Sequence, residues 1–181
     1  MPSSTSAVPV TKKVIVRCRI YARHRGTSIT KLKDWRKRQV KVRVKYHTDI
    51  DSIGAAHLGE WCDLRCAEDT HLSFGEYKLI SLGVSIELPE GYEALVIPRS
   101  STFKKYGVLL ANSVGLIDNA YCGDDDVWRF PAVCLRGETF IPKNERICQF
   151  RIQKIQPDLE LEPVEFLGNK SRGGIGSTGR V

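Results

Sequence analysis

The sequence predicts an all-β fold, a sandwich or barrel, on three observations. Short apolar segments alternate with the two-residue period of strands, turns rich in Gly, Pro or Asn separate them, and only one stretch carries helix signals. The first segment, "VKVRVK" (40–45), sets Val40, Val42 and Val44 on one face of a strand. "KLISLGVSIEL" (78–88) follows, and the turn "PEG" (89–91) leads into "EALVIP" (93–98). "STFKKYG" (101–107) is the exception, a predicted short helix with Ser101 as N-cap and Gly107 as its stop. "GVLLAN" (107–112), "FPAVCL" (130–135) and "RICQFRIQKI" (146–155) complete the strands. The last sets Ile147, Gln149 and Arg151 on one face, where a glutamine needs a polar partner.

A chain of 181 residues suffices for one domain with a sizeable core, and 41% hydrophobic content is ordinary for a globular protein. No stretch approaches the ~20 apolar residues that cross a bilayer, so a soluble cytoplasmic protein with no membrane partner is expected. Six cysteines, Cys18, Cys62, Cys66, Cys122, Cys134 and Cys148, form no C-x-x-C pair, which argues against zinc. Reduced, mostly buried thiols are expected instead.

The net charge of +7 is unevenly spread. Residues 1–38 hold eleven Lys/Arg against the single acid Asp34, whereas the rest holds 17 Lys/Arg and 20 Asp/Glu. The organisation is therefore a basic extension (1–38), a mildly acidic β domain (39–168) and a tail (169–181) rich in Gly, Ser and Thr. The extension has the charge to contact nucleic acid or another anionic surface. Its Arg-rich, acid-poor composition also suits organelle import, or a flexible segment with no role of its own.

Three stretches carry candidate chemistry. "PRSST" (98–102) sets Arg99 and two hydroxyls where the short helix begins, a place suited to phosphate, although a serine there is commonly just a cap. In the tail, Gly173, Gly174 and Gly176 let backbone approach a phosphate, with Ser177 and Thr178 as donors, but no P-loop spacing follows. "VGLIDNAYCGDDDVW" (114–128) contains four aspartates. Asp124, Asp125 and Asp126 read as a solvated turn, while Asp118 ends an apolar strand and is the candidate for chemistry.

Taken in order, "WCDLRC" (61–66), "PRSST" (98–102), "NSVGLIDNAYCG" (112–123), "ERICQF" (145–150) and "RGGIGSTG" (172–179) resemble the five motifs of the trimeric dUTPase family. The arrangement looks most like the compact type of Gram-positive bacteria and their phages. The resemblance implies a jelly-roll β-barrel, a homotrimer with three shared active sites, and hydrolysis of dUTP to dUMP and pyrophosphate with Mg²⁺. That activity supplies dUMP for thymidylate synthesis and limits uracil in DNA. Asp118 would orient the water that attacks the α-phosphorus. A carboxylate of pKa about 3.9 is a feeble base, so its value lies in holding that water in line. Tyr121 would pack on the deoxyribose, and Asn112 with the backbone of 112–117, including Gly115 and Ile117, would read the uracil. Arg99, Ser100, Ser101 and Gln149 would hold phosphate oxygens. Magnesium would ride on the triphosphate, with Asp63 reaching it through water.

Two departures from the family pattern stand out. Ser101 occupies a position that is glycine in most members, and the final motif is two residues shorter, with Ile175 in place of the phenylalanine that covers uracil. The resemblance therefore leaves the lid open. Either Trp128 and Phe130 are core side chains, or the segment 128–130 supplies the cover. The second reading lays Arg129 or Phe130 over the base, with Arg172, Gly173, Gly176 and Ser177 closing on the phosphates. Two rivals remain. A dCTP deaminase would need a glutamate where this chain has Trp128. A dUTPase-like regulatory binding protein would use the same fold.

Overall fold

Valine alternation builds the first strand. In the computed structural model, which describes residues 40–54 and 61–171, β1 (Arg43–Tyr46) pairs antiparallel with β5 (Val84–Glu87). Val42, Val44 and Tyr46 pack on the core, whereas Val40 precedes the strand and stays exposed. Three further sheets complete the fold, and every ladder is antiparallel. β10 (Thr139–Ile141) pairs with β3 (Thr70–Leu72). A four-stranded sheet runs β2 (Cys62–Arg65), β11 (Arg146–Lys154), β6 (Tyr92–Pro98), β8 (Gly115–Ile117). A three-stranded sheet runs β4 (Tyr77–Ser81), β9 (Arg129–Cys134), β7 (Val108–Leu110). One helix lies among the described residues, α1 (Thr102–Tyr106), and none is long and apolar enough to cross a membrane.

The sheets close on one core. Trp128 and Phe130 are its largest fully buried side chains, and Trp128 meets Phe150 edge-to-face with ring centres 5.3 Å apart. Cys66, Cys134 and Cys148 are buried and Cys122 is exposed. Burial pushes the Cys66 and Cys148 thiols up, which keeps both protonated.

Three local features depart from the sequence reading. The run 78–88 is not one strand: β4 ends at Ser81 and the chain crosses to another sheet at Gly83. There φ is +65°, and a Cβ would lie 2.9 Å from Thr48 Cγ2. Strands β2, β3 and β10, of three or four residues, are too short to show a period and were not expected, whereas β8 is the apolar strand that Asp118 was expected to end. Ser101 occupies the N-cap position but its side chain makes no cap hydrogen bond. Thr102 ties the helix down instead, its buried Oγ1 donating to the Ile147 carbonyl at 2.6 Å.

The helix stop behaves as expected. Gly107 is left-handed at φ 65°, its N–H donates to the Phe103 carbonyl, and Arg136 donates to the carbonyls of Lys104 and Lys105. A Cβ at Gly107 would lie 2.3 Å from Arg136 Cβ, while one at Gly75, also at positive φ, would meet open space. Gly75→Ala should therefore cost about 1 kcal/mol for the backbone alone, and Gly107→Ala roughly 2–3 kcal/mol. Denaturant midpoints of the two variants check this ranking; equal losses would contradict it.

Candidate active site

The turn after β7 is tight enough to demand special backbone. Ser113 has φ 63°, its N–H donates to the Leu110 carbonyl, and the Val114 N–H donates to the Asn112 carbonyl at 2.6 Å. β8 then pairs with β6, Gly115 opposite Val96 and Ile117 opposite Ala94. A Cβ at Gly115 would approach Val96 Cβ to 3.2 Å, so glycine lets the strands close here. The result is a pocket of about 340 Å³. It gathers six of the residues singled out from sequence: Asn112, Gly115, Ile117, Asp118, Tyr121 and Arg129. Val96, Leu110, Trp128 and Pro131 add apolar wall.

Asp118 is held by its own loop. Its Oδ1 accepts the backbone N–H groups of Ala120 at 2.9 Å and Tyr121 at 3.2 Å. Its Oδ2 has no hydrogen-bond partner among the described residues, and the side chain is at an exposed position. The Tyr121 hydroxyl donates to the Val127 carbonyl at 3.3 Å, leaving the ring partly open at the pocket. The acidic run builds the next turn. Asp126 Oδ2 accepts the Gly123 N–H at 2.7 Å, Asp124 pairs with Lys45 at 3.4 Å, and Asp125 is exposed.

The lid segment divides by alternation. Trp128 and Phe130 are fully buried, and Arg129 is exposed and lines the pocket. This corrects the reading that let Phe130 lie over a base. β9 is paired on both sides, Phe130 opposite Ile80 within the core, so only the odd position of the segment faces out.

A second cluster lies where β6 ends. Asp63 is 7% exposed, and its Oδ1 lies 2.9 Å from Arg99 Nε. That contact is a close ion pair rather than a well-directed hydrogen bond. Arg146 Nη1 donates to Oδ2 at 3.0 Å. Ser100 and Ser101 follow Arg99 and are exposed. Gln149 is opposite Asp63 on one side and Ile97 on the other, and its amide makes no side-chain hydrogen bond among the described residues. Ile147 and Gln149 do not share a face as the strand pattern suggested. A register shift between Arg146 and Cys148 buries Ile147 and Cys148 alike. Arg146 was missed from sequence, its one signal being a charged residue beside the buried pair that follows it.

This cluster offers no direct cage for a cation. Both oxygens of Asp63 are engaged by guanidinium groups, and no group of three or more His, Cys, Asp or Glu residues able to hold a metal lies among the described residues.

The two clusters stand at opposite ends of β6. Asp118 follows the residue opposite Ala94, whereas Arg99 follows Pro98. Six strand positions separate them, roughly 20 Å at ~3.3 Å per residue. Arg172, Gly173, Gly176 and Ser177 lie outside the described residues, as does the extension 1–38.

The dUTPase family model matches residues 62–179. The chain is 52% identical over 141 residues to the SPbeta prophage-derived deoxyuridine 5'-triphosphate nucleotidohydrolase YosS of Bacillus subtilis, covering 77% of this chain and 99% of that protein. In structure it resembles a dUTPase variant of Staphylococcus bacteriophage 80alpha solved with dUpNHpp, with a TM-score of 0.66 and 23% identity, over 78% of this chain and 99% of that one. A dUTPase variant from phage phi11 of S. aureus, described with a structural Mg(II) ion, matches with a TM-score of 0.61 and 19% identity over 71% of this chain and 99% of that one. These likenesses carry the expected all-β dUTPase-like fold, and with the family match they show that the chain belongs to the dUTPase family.

Proposed function

We propose that the chain hydrolyses dUTP to dUMP and pyrophosphate, with Asp118 orienting the attacking water. The observation that carries this reading is the single pocket gathering Asn112, Gly115, Ile117, Asp118, Tyr121 and Arg129. Its size and apolar wall suit a nucleoside. Asn112 and the backbone around Gly115 and Ile117 read the uracil edge, and Tyr121 packs on the deoxyribose. Arg129, the outward residue of its segment, lies over the base as a planar lid. Asp118 Oδ2 accepts a hydrogen bond from water, whose oxygen bonds to the α-phosphorus as the bond to the bridging oxygen breaks and pyrophosphate leaves. Positioning of this kind replaces base strength. The deaminase alternative lacks its carboxylate, because position 128 is a fully buried tryptophan.

The split between the clusters supports a homotrimer with shared sites. A triphosphate in one chain's pocket cannot reach that chain's own Arg99, Ser100, Ser101 and Gln149, on the order of 20 Å along β6. A second copy can supply them, with Arg172, Gly173, Gly176 and Ser177 closing over the phosphates. Tyr77, Leu79, Leu109 and Leu135, exposed along the outward side of β4, β9 and β7, suit burial between copies. Magnesium would be held by the phosphate oxygens of the nucleotide, the hard ligands it prefers, with Asp63 reaching it through water, and would offset the charge of those oxygens. The setting is cytoplasmic, where the product feeds thymidylate synthesis and uracil is kept out of DNA.

Asp118→Asn should lower turnover by orders of magnitude while dUTP affinity stays within a few-fold; near wild-type turnover would remove Asp118 from the chemistry. Sharing between copies has its own test. Asp118→Asn and Arg99→Gln should each be inactive alone, and co-expression of the two should restore activity in mixed trimers. If mixtures stay as inactive as their parents, the site lies within one chain. Deleting residues 1–38 should leave dUTP turnover intact, since β1 starts at Arg43. Retention on DNA that falls with salt and disappears with the deletion would assign the eleven basic residues of this extension to nucleic acid.

A further inference from the structure

Alternate residues of a strand share a face. Val44 and Tyr46 of β1 pack on the core, so Lys45 and His47 point away from it. On β5, Val84 and Ile86 belong to the core, and Ser85, directly opposite Lys45, shares the outward face. Ser85 is nevertheless only 5% exposed. His47 and the turn that follows Tyr121 close over it. The Asp124 carbonyl accepts from Lys45 Nζ at 3.0 Å and from Ser85 Oγ at a longer 3.4 Å. The Asp124 carboxylate pairs with the same ammonium at 3.4 Å. A serine hydroxyl has one proton. With that proton directed at Asp124, the His47 ring, whose Nε2 lies 2.8 Å from Ser85 Oγ, is the donor to the serine oxygen.

This anchor sits where packing is thin. Residues 121–125 are exposed, so hydrogen bonds rather than core contacts set their positions. Within the turn, Asp126 Oδ2 accepts the Gly123 N–H at 2.7 Å, and a Cβ at Gly123 would approach that oxygen to 2.8 Å. That bond shapes the turn without attaching it to the fold. Attachment comes from Trp128, whose N–H donates to the Val84 carbonyl at 2.8 Å, and from Asp124. Tyr121 lies on the far side of Asp124 from Trp128, and its hydroxyl reaches back to the Val127 carbonyl at 3.3 Å. Releasing Asp124 therefore loosens the stretch from Cys122 to Asp126, and with it the brace behind the Tyr121 ring.

We propose that Lys45 and Ser85 are positioning residues for sugar selection. By holding the Asp124 carbonyl they fix the turn that braces Tyr121, and a fixed ring against the sugar leaves no room for a 2′-hydroxyl. Selectivity of this kind comes from a clash with the wrong ligand, and a wall that yields loses it. The proposal rests on the reading of Tyr121 as the residue that packs on the deoxyribose.

The test is calorimetric titration of the full-length protein with dUMP and with UMP, which reads the preference without turnover. Lys45→Met and Ser85→Ala should each lower the dUMP-over-UMP affinity ratio about threefold, and the double variant about tenfold. Lys45→Arg should keep the ratio, because a guanidinium still donates to a carbonyl. Arg43→Gln is the control on the same strand, since its partner is Glu87, and it should leave the ratio unchanged. Amide exchange across residues 121–127 should quicken in Lys45→Met and not in Arg43→Gln. A double variant with the wild-type ratio would overturn the proposal, as would equal weakening of both nucleotides or an Arg43→Gln effect as large as that of Lys45→Met. If Ser85→Ala does not fold, Lys45→Met alone decides. Tyr121→Ala should abolish most of the preference; a preference that survives it would sink the reading of Tyr121 and the proposal together. A protein that shows these shifts in nucleotide binding but leaves dUTP intact would uphold the anchor and sink only the hydrolase reading.

Discussion

Strand β6 is the rigid spacer on which the site depends. Seven of its residues pair with β11 and three with β8, and Ala94 and Val96 anchor it in the core. A ladder paired on both edges does not stretch, so the distance between Asp118 and Arg99 is set by residue count. Side-chain motion cannot close roughly 20 Å. On the proposed reading, a chain built this way holds two half-sites, one for a nucleoside and one for phosphates. A neighbouring copy would bring them together, which would couple activity to assembly.

The pocket and the core share walls. Trp128 and Val96 line the first and belong to the second. β9 alternates between the two environments: Phe130, Ala132 and Cys134 face inwards, while Arg129 and Pro131 face the pocket. A defect on the inner face is therefore felt on the outer one. Emptying the Phe130 position would cost about 3–5 kcal/mol and would let the strand that carries Arg129 shift. Because packing rather than loop conformation fixes this wall, the pocket is largely formed before any ligand arrives.

Much of this was legible in the sequence, and the gaps have physical causes. Alternation predicted β1, β6, β9 and most of β11, and the five motifs named every pocket residue used here except Arg129 and the apolar wall. Alternation also tied Trp128 to Phe130 and set Arg129 apart, but it does not say which face is the core. The ladders to β4 and β7 decide that. The bulge at Ile147 breaks the two-residue period that pattern reading assumes, so the face of Arg146 was beyond it. The partners of Asp63 were out of reach for a related reason. A carboxylate in a short strand looks available until its partners, 36 and 83 residues away in the chain, are seen on both of its oxygens.

Asp118 shows the opposite economy of means. Its partners are its immediate neighbours, Ala120 and Tyr121, so the loop itself sets the carboxylate with no long-range contact. Both bonds fall on Oδ1, which fixes the plane of the group and leaves Oδ2 as the acceptor for a reactant. The same turn carries Tyr121, so the residue proposed to pack on the sugar and the residue proposed to orient water move as one unit. Displacing one displaces the other. In the proposed mechanism the mutual geometry of sugar and water is thus written into four consecutive residues, 118–121, whatever the neighbouring copy does. Assembly would then supply the remaining element, the cationic groups that receive the phosphates and the departing pyrophosphate.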